Sequence, residues 1–496
     1  MMPADAKVPP QEVVKVRHRD FALALGSPKP SGVFRIFEGV DDDDPSAWNP
    51  PPCSAVDVAS DAGAAMRFAR QHGHEVRFDH RRDRWLLWHD HRWQPDADDG
   101  VTRLALDFAR TWQKEAVHLP RRDEREAALK FALRLEGRDA LRNMLALAKA
   151  IKPVADDGAG WDANPWLLGV QNGVIDLQAG TLRAGQPDDR ITMQTGAPFE
   201  PDAAGPRWTQ FIQEVFGGNQ SLVDFAHRAI GYSLTGITTE QVLFLLYGTG
   251  ANGKGTLTNT IKRVLGDYAW NMPFTTIEMK DRTAIPNDLA ALVGRRFVIA
   301  SETNDGTRLN EARVKALTGC DPVTARFLHG EFFTFEPFGK YWLSVNHKPI
   351  VRDDSHGFWR RLRLIPFTRR FEVNSMLASE LSAEAPAILA WCVRGCLAWQ
   401  EHGLQPPSAV TDATIAYERD SDPLAAFLAE ACEVASNAEV GARDIFLHYE
   451  SWAIAHGLRP AERLSATAFG RKMADRFERL DGARRTYRGV ARRQSV

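Results

Sequence analysis

The sequence of 496 residues is poor in cysteine and has no long apolar segment. Its five cysteines are too few and too scattered for a disulfide framework, which favours a reducing compartment; they are Cys53, Cys320, Cys392, Cys396 and Cys432. Cys392 and Cys396 could share a helix face, but further metal ligands are not evident nearby, and buried thiols are the favoured interpretation. No run of about 18 or more apolar residues occurs, and the N-terminus lacks the apolar core of a signal peptide. We therefore expect no membrane span and a cytoplasmic location.

A strong excess of positive charge is also missing. The chain has 62 Lys and Arg against 64 Asp and Glu, a formal net charge of -2. Because proteins that coat duplex DNA are usually strongly basic, any contact with nucleic acid must be local, in a channel or on a single basic face. The rest of the composition, 44% hydrophobic and 25% charged, is ordinary for a soluble globular protein. The length predicts about three domains.

Changes of composition along the chain predict five segments. They are an irregular arm (1–60), a mixed α+β N-terminal domain (61–205), an α/β core with preceding helices (206–372), a helical lid or linker (373–421) and a C-terminal helical segment with a basic tail (422–496). The core contains four uninterrupted apolar runs, typical of strands buried on both faces: Val242–Tyr247, Phe297–Ala300, Tyr341–Val345 and Leu362–Ile365. Helical stretches separate some of these runs, so the fold class is α/β.

The first of these strands leads into a glycine-rich loop, in the stretch LFLLYGTGANGKGT from Leu243 to Thr256. A helix follows, and strand–loop–helix is the context of a phosphate-binding loop. Glycines let backbone N–H groups approach phosphate oxygens, and the helix N-terminus adds partial positive charge. The predicted nucleotide-binding residues are Gly248, Gly250, Asn252, Gly253, Lys254, Gly255 and Thr256. A chance match in a loop is the alternative.

The loop departs from the usual pattern at one position. Ser or Thr, whose hydroxyl holds Mg²⁺, should follow the lysine, but Gly255 stands there and Thr256 comes next. A shift of one residue rotates a helical side chain by about 100°. Thr256 is therefore a metal ligand only if the loop adjusts, and otherwise water fills that place.

Three further segments carry residues suited to nucleotide hydrolysis. RRFVIASETN gives a strand followed by Glu302, a carboxylate that could polarise the attacking water and reach the metal through solvent. YWLSVNHKP ends a strand at Asn346, an amide suited to orienting that water. GFWRRLRLIPF places Arg360 and Arg361 before another strand, from where an arginine could reach a neighbouring subunit's γ-phosphate. Each signal is weak singly, since an Arg pair is usually solvated, but their order is strong evidence for an ATPase.

The series GTGANGKGT, VIASETN, LSVNHKP and GFWRRLRLIPF resembles the superfamily 3 helicases, in the phage/plasmid primase–helicase group related to the poxvirus-type ATPases. The resemblance implies a hexameric AAA+ ring that uses ATP and Mg²⁺ and moves along single-stranded DNA, usually 3′→5′, in a bacterial or phage-infected cell. It makes Lys254 the Walker A lysine, Glu302 the Walker B glutamate and Asn346 the sensor. Arg361 is the better trans finger, from its spacing to Phe367, and Arg360 the alternative.

Two regions are predicted to contact DNA. TARFLHGEFFTFEPFGKYW reads as a hairpin with His329 at its tip, where the family implies a DNA-gripping hairpin, with Arg326 and Lys340 nearby; a plain surface hairpin is the alternative. Near the C-terminus, a helix with Phe469, Met473 and Phe477 on one face precedes a basic stretch. Helix plus basic wing suggests a winged-helix module for duplex or origin DNA, with a solvated basic tail as the alternative; the wing arginines are Arg484, Arg485 and Arg488.

The sequence favours a ring helicase that replicates a phage, plasmid or integrated mobile element. The alternative is a DNA-binding ATPase switch, a replication initiator or defence protein, that does not unwind processively. A scaffold with a dead site is disfavoured because Lys254, Glu302 and Arg361 are all present. About 60 residues precede the recognisable region, too few for a primase domain, so a separate primase is an expected partner.

Overall fold

A computed structural model describes residues 59–279, 287–301, 306–319, 321–326, 332–353, 355–458, 460, 462–482 and 484–493. All of them belong to one structural unit, Val56–Val496. The predicted N-terminal arm lies almost entirely outside the described residues, as do Cys53 and Cys320. The other three cysteines are buried thiols, as the sequence indicated for Cys392 and Cys396.

The N-terminal part combines helices with two small sheets. Its elements are α1 (Asp61–His72), β1 (Val76–Asp79), β2 (Arg84–His89), β3 (Arg92–Pro95), α2 (Gly100–Ala116), α3 (Arg122–Leu135), α4 (Arg138–Ala148), β4 (Ala155–Asp156), β5 (Leu167–Val170), β6 (Gly173–Asp176) and β7 (Thr181–Arg183). The first sheet has the order β3-β2-β1-β4 and the second β5-β6-β7. The first sheet and the four helices share a core around Phe68, Phe108 and Phe131.

The central part is built on a parallel sheet. Its elements are α5 (Pro206–Val215), α6 (Gln220–Tyr232), β8 (Leu243–Tyr247), α7 (Lys254–Leu265), β9 (Ala269–Asn271), α8 (Asn287–Ala290), β10 (Phe297–Ser301), α9 (Glu311–Thr318), β11 (Val323–Arg326), β12 (Phe332–Phe335), β13 (Lys340–Val345), α10 (His356–Trp359) and β14 (Leu362–Pro366). Five strands in the order β14-β8-β13-β10-β9 form the sheet, and every pair is parallel. The four predicted strands are confirmed, while the short edge strand β9 was not predicted.

Both faces of this sheet are covered, which explains the uninterrupted apolar runs. Along β8, Phe244 and Leu246 face one core, which contains residues of α5, α6 and α7. Leu243 and Leu245 face a second core, which contains residues of α9 and α10. The fold is therefore a mixed α/β arrangement around a parallel sheet.

The C-terminal part begins with helices that complete the first core. Its elements are α11 (Leu377–Ala383), α12 (Ala385–His402), α13 (Ser408–Asp420), α14 (Pro423–Ala431), β15 (Cys432–Gly441), α15 (Ala442–Ala455), α16 (Ala466–Arg476), β16 (Glu478–Asp481) and β17 (Arg485–Arg492). Among the described residues, no single helix is both long and apolar enough to cross a membrane. The 18-residue α12 buries apolar side chains in the core shared with the parallel sheet.

The last three helices have their own core and a small sheet. Phe427, Tyr449 and Phe469 pack together beneath strands in the order β15-β17-β16. The predicted helix is α16, with Phe469 and Met473 on its buried face. Phe477 is not part of that helix face as predicted, because the helix ends at Arg476 and Phe477 is extended. The predicted wing is the antiparallel hairpin of β16 and β17. The strand β15 was not predicted, because its sequence CEVASNAEVG has no apolar run and its pairing contains an irregularity.

Candidate functional site

The carboxyl end of the parallel sheet brings the glycine-rich loop and Asn346 together. The glycine-rich loop follows β8, Asn346 follows the neighbouring strand β13, and Ser301 ends the next strand, β10. Ser301 pairs in register with Ser344 of β13. Glu302 itself lies outside the described residues. Because parallel strands end at the same edge, this edge is the usual ligand site of such a sheet.

The loop has a shape that requires glycine at two positions. Gly253 has φ +84°, and a Cβ built on it would lie 2.7 Å from Val215 Cγ2 in α5. A Cβ on Gly248 would lie 2.1 Å from Asn252 Nδ2 and 2.4 Å from the carbonyl oxygen of Phe367. Larger residues at these positions would push the loop away from its supports, and the backbone N–H groups would move with it.

Lys254 begins α7 and is aimed at the loop. Its side chain is buried, with the ammonium 2.5 Å from the carbonyl oxygen of Gly248 and 3.2 Å from Asn346 Oδ1. Burial lowers the pKa of this ammonium to about 8. Among the described residues no carboxylate pairs with it, so a phosphate would supply the missing anion.

Asn252 gives a second sign that the loop is built for a ligand. Its side chain is only 4% exposed, and Nδ2 has no hydrogen-bond partner among the described residues. A buried donor without an acceptor is costly. A phosphate oxygen in the loop would satisfy it, so the residues present fit a nucleotide.

The side chains near the start of α7 differ in their surroundings. Gly255 is exposed, and a Cβ built there would meet no atom within 4 Å. Thr256 is half-buried, and Thr258 is buried with its hydroxyl bonded to the carbonyl oxygen of Lys254. No group of three or more His, Cys, Asp or Glu in the described part of the chain could hold a metal.

Arg360 and Arg361 lie at the amino end of the parallel strands, opposite the end that carries the glycine-rich loop. The carbonyl oxygen of Arg361 accepts a hydrogen bond from the N–H of Leu243, at the start of β8. At about 3.3 Å per residue along β8, Arg361 is about 20 Å from the glycine-rich loop. Arg361 donates to the carbonyl oxygen of Gly357, and Arg360 Nη2 donates to Gln241 Oε1 at 2.5 Å. Within one chain, neither arginine is near Lys254.

The predicted hairpin is confirmed as β11 and β12, but its tip, with His329, lies outside the described residues. Arg326 is opposite Phe332 in the hairpin, with its guanidinium 5.1 Å from the ring centroid. Phe332 is 59% exposed. The hairpin thus presents a cation and an aromatic face together, which sequence analysis had not considered for Phe332.

The prediction that Lys340 contacts DNA is wrong. Its side chain is 1% exposed, and its ammonium donates to the carbonyl oxygens of Thr235, Ile237 and Phe338. Burial lowers the pKa of this group well below its usual value. Lys340 therefore anchors the start of β13 to the segment after α6, and its charge is not available to a phosphate.

The predicted wing arginines are exposed but not equivalent. Arg488 lies between two carboxylates, 3.2 Å from Glu439 Oε1 and 3.0 Å from Glu478 Oε2. Arg485 is 3.6 Å from Asp481, while Arg484 forms no ion pair with a described residue. The hairpin is therefore less basic than its sequence suggested.

A connection between the segment after β13 and the C-terminal part was missed by sequence analysis. Lys348, two residues after Asn346, forms an ion pair of 2.8 Å with Asp420 at the end of α13. Tyr417 of the same helix is buried and donates to the carbonyl oxygen of Pro349. These residues are about 70 positions apart in the chain, so no local pattern could have indicated the contact.

Two family descriptions match the chain. Residues 65–217 match the family described as "D5 N terminal like", and residues 246–361 match a family of unknown function, DUF5906. The second match contains the glycine-rich loop, Asn346 and both arginines at the far edge of the sheet.

Several viral proteins are similar in sequence. "Putative helicase L207/L206" of Acanthamoeba polyphaga mimivirus is 28% identical over 319 residues, covering 59% of this chain and 33% of that protein. "Putative helicase 022R" of Frog virus 3 is 21% identical, covering 60% and 39%. "Putative primase C962R" of African swine fever virus is 31% identical over 215 residues, covering 41% and 22%. The chain thus spans less than two fifths of each of these relatives.

Among solved structures, the apo form of the NrS-1 C-terminal region (305–718) has a TM-score of 0.47 and 11% identity, and covers 81% of this chain and 84% of that one. The two family matches cover most of the N-terminal part and the part of the chain from the glycine-rich loop to Arg361. Together, the family matches and the viral relatives support a protein of the D5-type primase–helicase family.

Proposed function

We propose that this protein is an ATP-dependent helicase with an AAA+ core that assembles as a ring, a hexamer, around single-stranded DNA. Its role would be replication of a phage, plasmid or integrated mobile element, with 3′→5′ movement. The observation that carries the proposal is the contact between Lys254 and Asn346 across neighbouring parallel strands, beside a loop that requires glycine.

ATP hydrolysis would use residues at the carboxyl edge of the sheet. Lys254 would leave Gly248 and Asn346 to pair with the β- and γ-phosphates, which supply the anion that the buried ammonium lacks. Asn346, once released, could orient the attacking water, and Glu302 would polarise it. Mg²⁺ bound with the nucleotide would neutralise phosphate charge, held by those phosphates and by Glu302 directly or through water.

In a ring, the end of the sheet that carries Arg360 and Arg361 in one subunit would lie beside the nucleotide of the next subunit. Arg361 is about 20 Å from the loop of its own chain, too far to act there. A head-to-tail ring joins two different surfaces of each subunit, so Arg361, or Arg360, would complete the neighbour's site. Such an arginine contributes on the order of 10³–10⁵ in rate.

DNA binding would involve two regions. The β11–β12 hairpin carries Arg326 beside the exposed ring of Phe332, a combination that can hold phosphate and stack on a base. His329 would lie at the tip of this hairpin. The hairpin of β16 and β17, through Arg484 and Arg485, would contact duplex or origin DNA.

The second candidate function is an ATP-dependent switch that binds DNA without processive unwinding. The connection between Lys348 and Asp420 favours it, because α13 leads directly into α14 of the C-terminal part. A change at Asn346 on nucleotide binding could therefore alter DNA binding by that part. Both functions share the same nucleotide site.

Strand displacement separates the two functions. Forked DNA with a labelled strand is incubated with the protein and ATP, with the Lys254→Ala protein as control and substrates carrying a single 3′ or 5′ tail for polarity. A helicase releases the labelled strand only with ATP and intact Lys254, and prefers the 3′ tail. ATP hydrolysis stimulated by DNA without strand release would favour the switch.

A further inference from the structure

We infer that Gly255, and not Thr256, occupies the position that faces the metal of the bound nucleotide, so that water takes the place of the usual hydroxyl ligand. The inference rests on the proposed nucleotide site and specifies how that site holds its metal. It follows from the faces of α7 and from the order of strands in the parallel sheet.

The face of α7 that carries Thr256 turns toward α11. Residues seven apart lie on the same face of a helix, so Thr256 shares its face with Arg263. Arg263 Nη1 donates to the carbonyl oxygen of Ala378 in α11 at 3.3 Å. The chain reaches α11 from the edge strand β14, on one side of β8, whereas β13 and β10 lie on the other side.

Asn346 follows β13, so Asn346 and Thr256 lie on different sides of the loop. The hydroxyl of Thr256 would have to leave its face of the helix to reach the side of Asn346. Thr258 is no substitute, because its hydroxyl is buried and bonded to the carbonyl oxygens of Lys254 and Gly255, at 3.1 and 3.3 Å.

Gly255 is rotated about 100° from Thr256, and its position is open. A Cβ there would meet no atom within 4 Å, and Gly255 is not among the residues with positive φ. Neither packing nor backbone conformation therefore requires glycine. Glycine does change the chemistry of the site, because it offers no oxygen to the metal. Mg²⁺ retains bound water readily, so a water can take the place of the hydroxyl.

The test compares nucleotide affinity with and without metal. A fluorescent, non-hydrolysable ATP analogue is titrated into the full chain in EDTA and in Mg²⁺. The ratio of the two dissociation constants measures how strongly the protein holds the metal, because coupling between two ligands is reciprocal. The variants are Gly255→Ser, its matched control Gly255→Ala, and Thr256→Ala.

We expect Gly255→Ser to raise this ratio about tenfold, because a tethered hydroxyl replaces a water that must be immobilised. Gly255→Ala and Thr256→Ala should leave the ratio unchanged. A lowered ratio in Thr256→Ala would overturn the inference, as would an unchanged ratio in a Gly255→Ser protein that binds normally in EDTA. If the wild-type protein binds no analogue under either condition, the proposed function fails, and the inference fails with it.

Discussion

Nucleotide affinity should fall as the pH rises from 7 to 9, because Lys254 loses its charge in this range. The buried ammonium has a pKa of about 8 in the nucleotide-free protein. It is therefore about 90% protonated at pH 7 and about 10% at pH 9. Bound phosphate favours the charged form and raises the pKa in the complex, so binding above pH 8 must include uptake of a proton.

The expected loss is therefore about tenfold in affinity between pH 7 and pH 9. The terminal phosphate, with a pKa of about 6, is already ionised over this range, and Asn346 and the carbonyl of Gly248, which contact the ammonium, do not titrate. The measurement is a titration with a fluorescent, non-hydrolysable ATP analogue in EDTA, so that metal hydrolysis does not contribute.

Lys254→Arg is the matched control, since a guanidinium keeps its charge throughout this range. Its affinity should be lower at pH 7 and independent of pH up to 9. A flat profile for the wild-type protein would refute the reasoning, and so would an equal fall in the Arg variant.

Four further predictions concern catalysis, assembly, DNA and stability. Glu302→Gln should bind ATP and lose turnover, because the amide cannot polarise water; normal hydrolysis in a phosphate-release assay would remove Glu302 from that role. Mixing Lys254→Ala with Arg361→Ala protein should restore hydrolysis, since about a quarter of the interfaces in randomly mixed rings are intact; no recovery in rings shown to exchange subunits would contradict the trans role. His329→Ala should weaken single-strand binding and uncouple unwinding from basal hydrolysis, measured in parallel, whereas normal unwinding would shift attention to Arg326. Lys340→Met should lower the free energy of unfolding in urea by about 1–3 kcal/mol, because buried carbonyls lose their donor; weaker single-strand binding at unchanged stability would instead restore Lys340 as a DNA contact.

Burial on both faces made the parallel sheet predictable. The run Val242–Tyr247 became β8, Leu243–Tyr247, because a strand with a core on each side must be apolar throughout. The Lys254–Asn346 contact was predictable for a related reason. Lys254 follows β8 and Asn346 follows β13. The carboxyl ends of parallel strands lie at the same end of a sheet, so the two residues are close when these two strands are neighbours.

Lys340 could not be assigned correctly, because its partners lie in a distant segment. The carbonyl oxygens of Thr235 and Ile237 are more than 100 positions away, and nothing near Lys340 in the sequence indicates them. Beside a predicted DNA-binding hairpin, a lysine looks like a phosphate contact. The strand β15 was missed for a different reason, since it is largely exposed and carries polar residues.

The glycine-rich loop that would hold ATP packs against a part of the chain that precedes β8. Gly253 packs against Val215 and Phe211 of α5. Further upstream, the backbone N–H of Gly169 donates to Tyr268 Oη, and the carbonyl oxygen of Leu167 accepts from Arg296. The carbonyl oxygen of Asn164 also accepts from Arg296. A recombination that exchanges upstream modules should therefore join the chain before Asn164, because a fragment that starts at β8 would lose the segments that support the glycine-rich loop and its sheet.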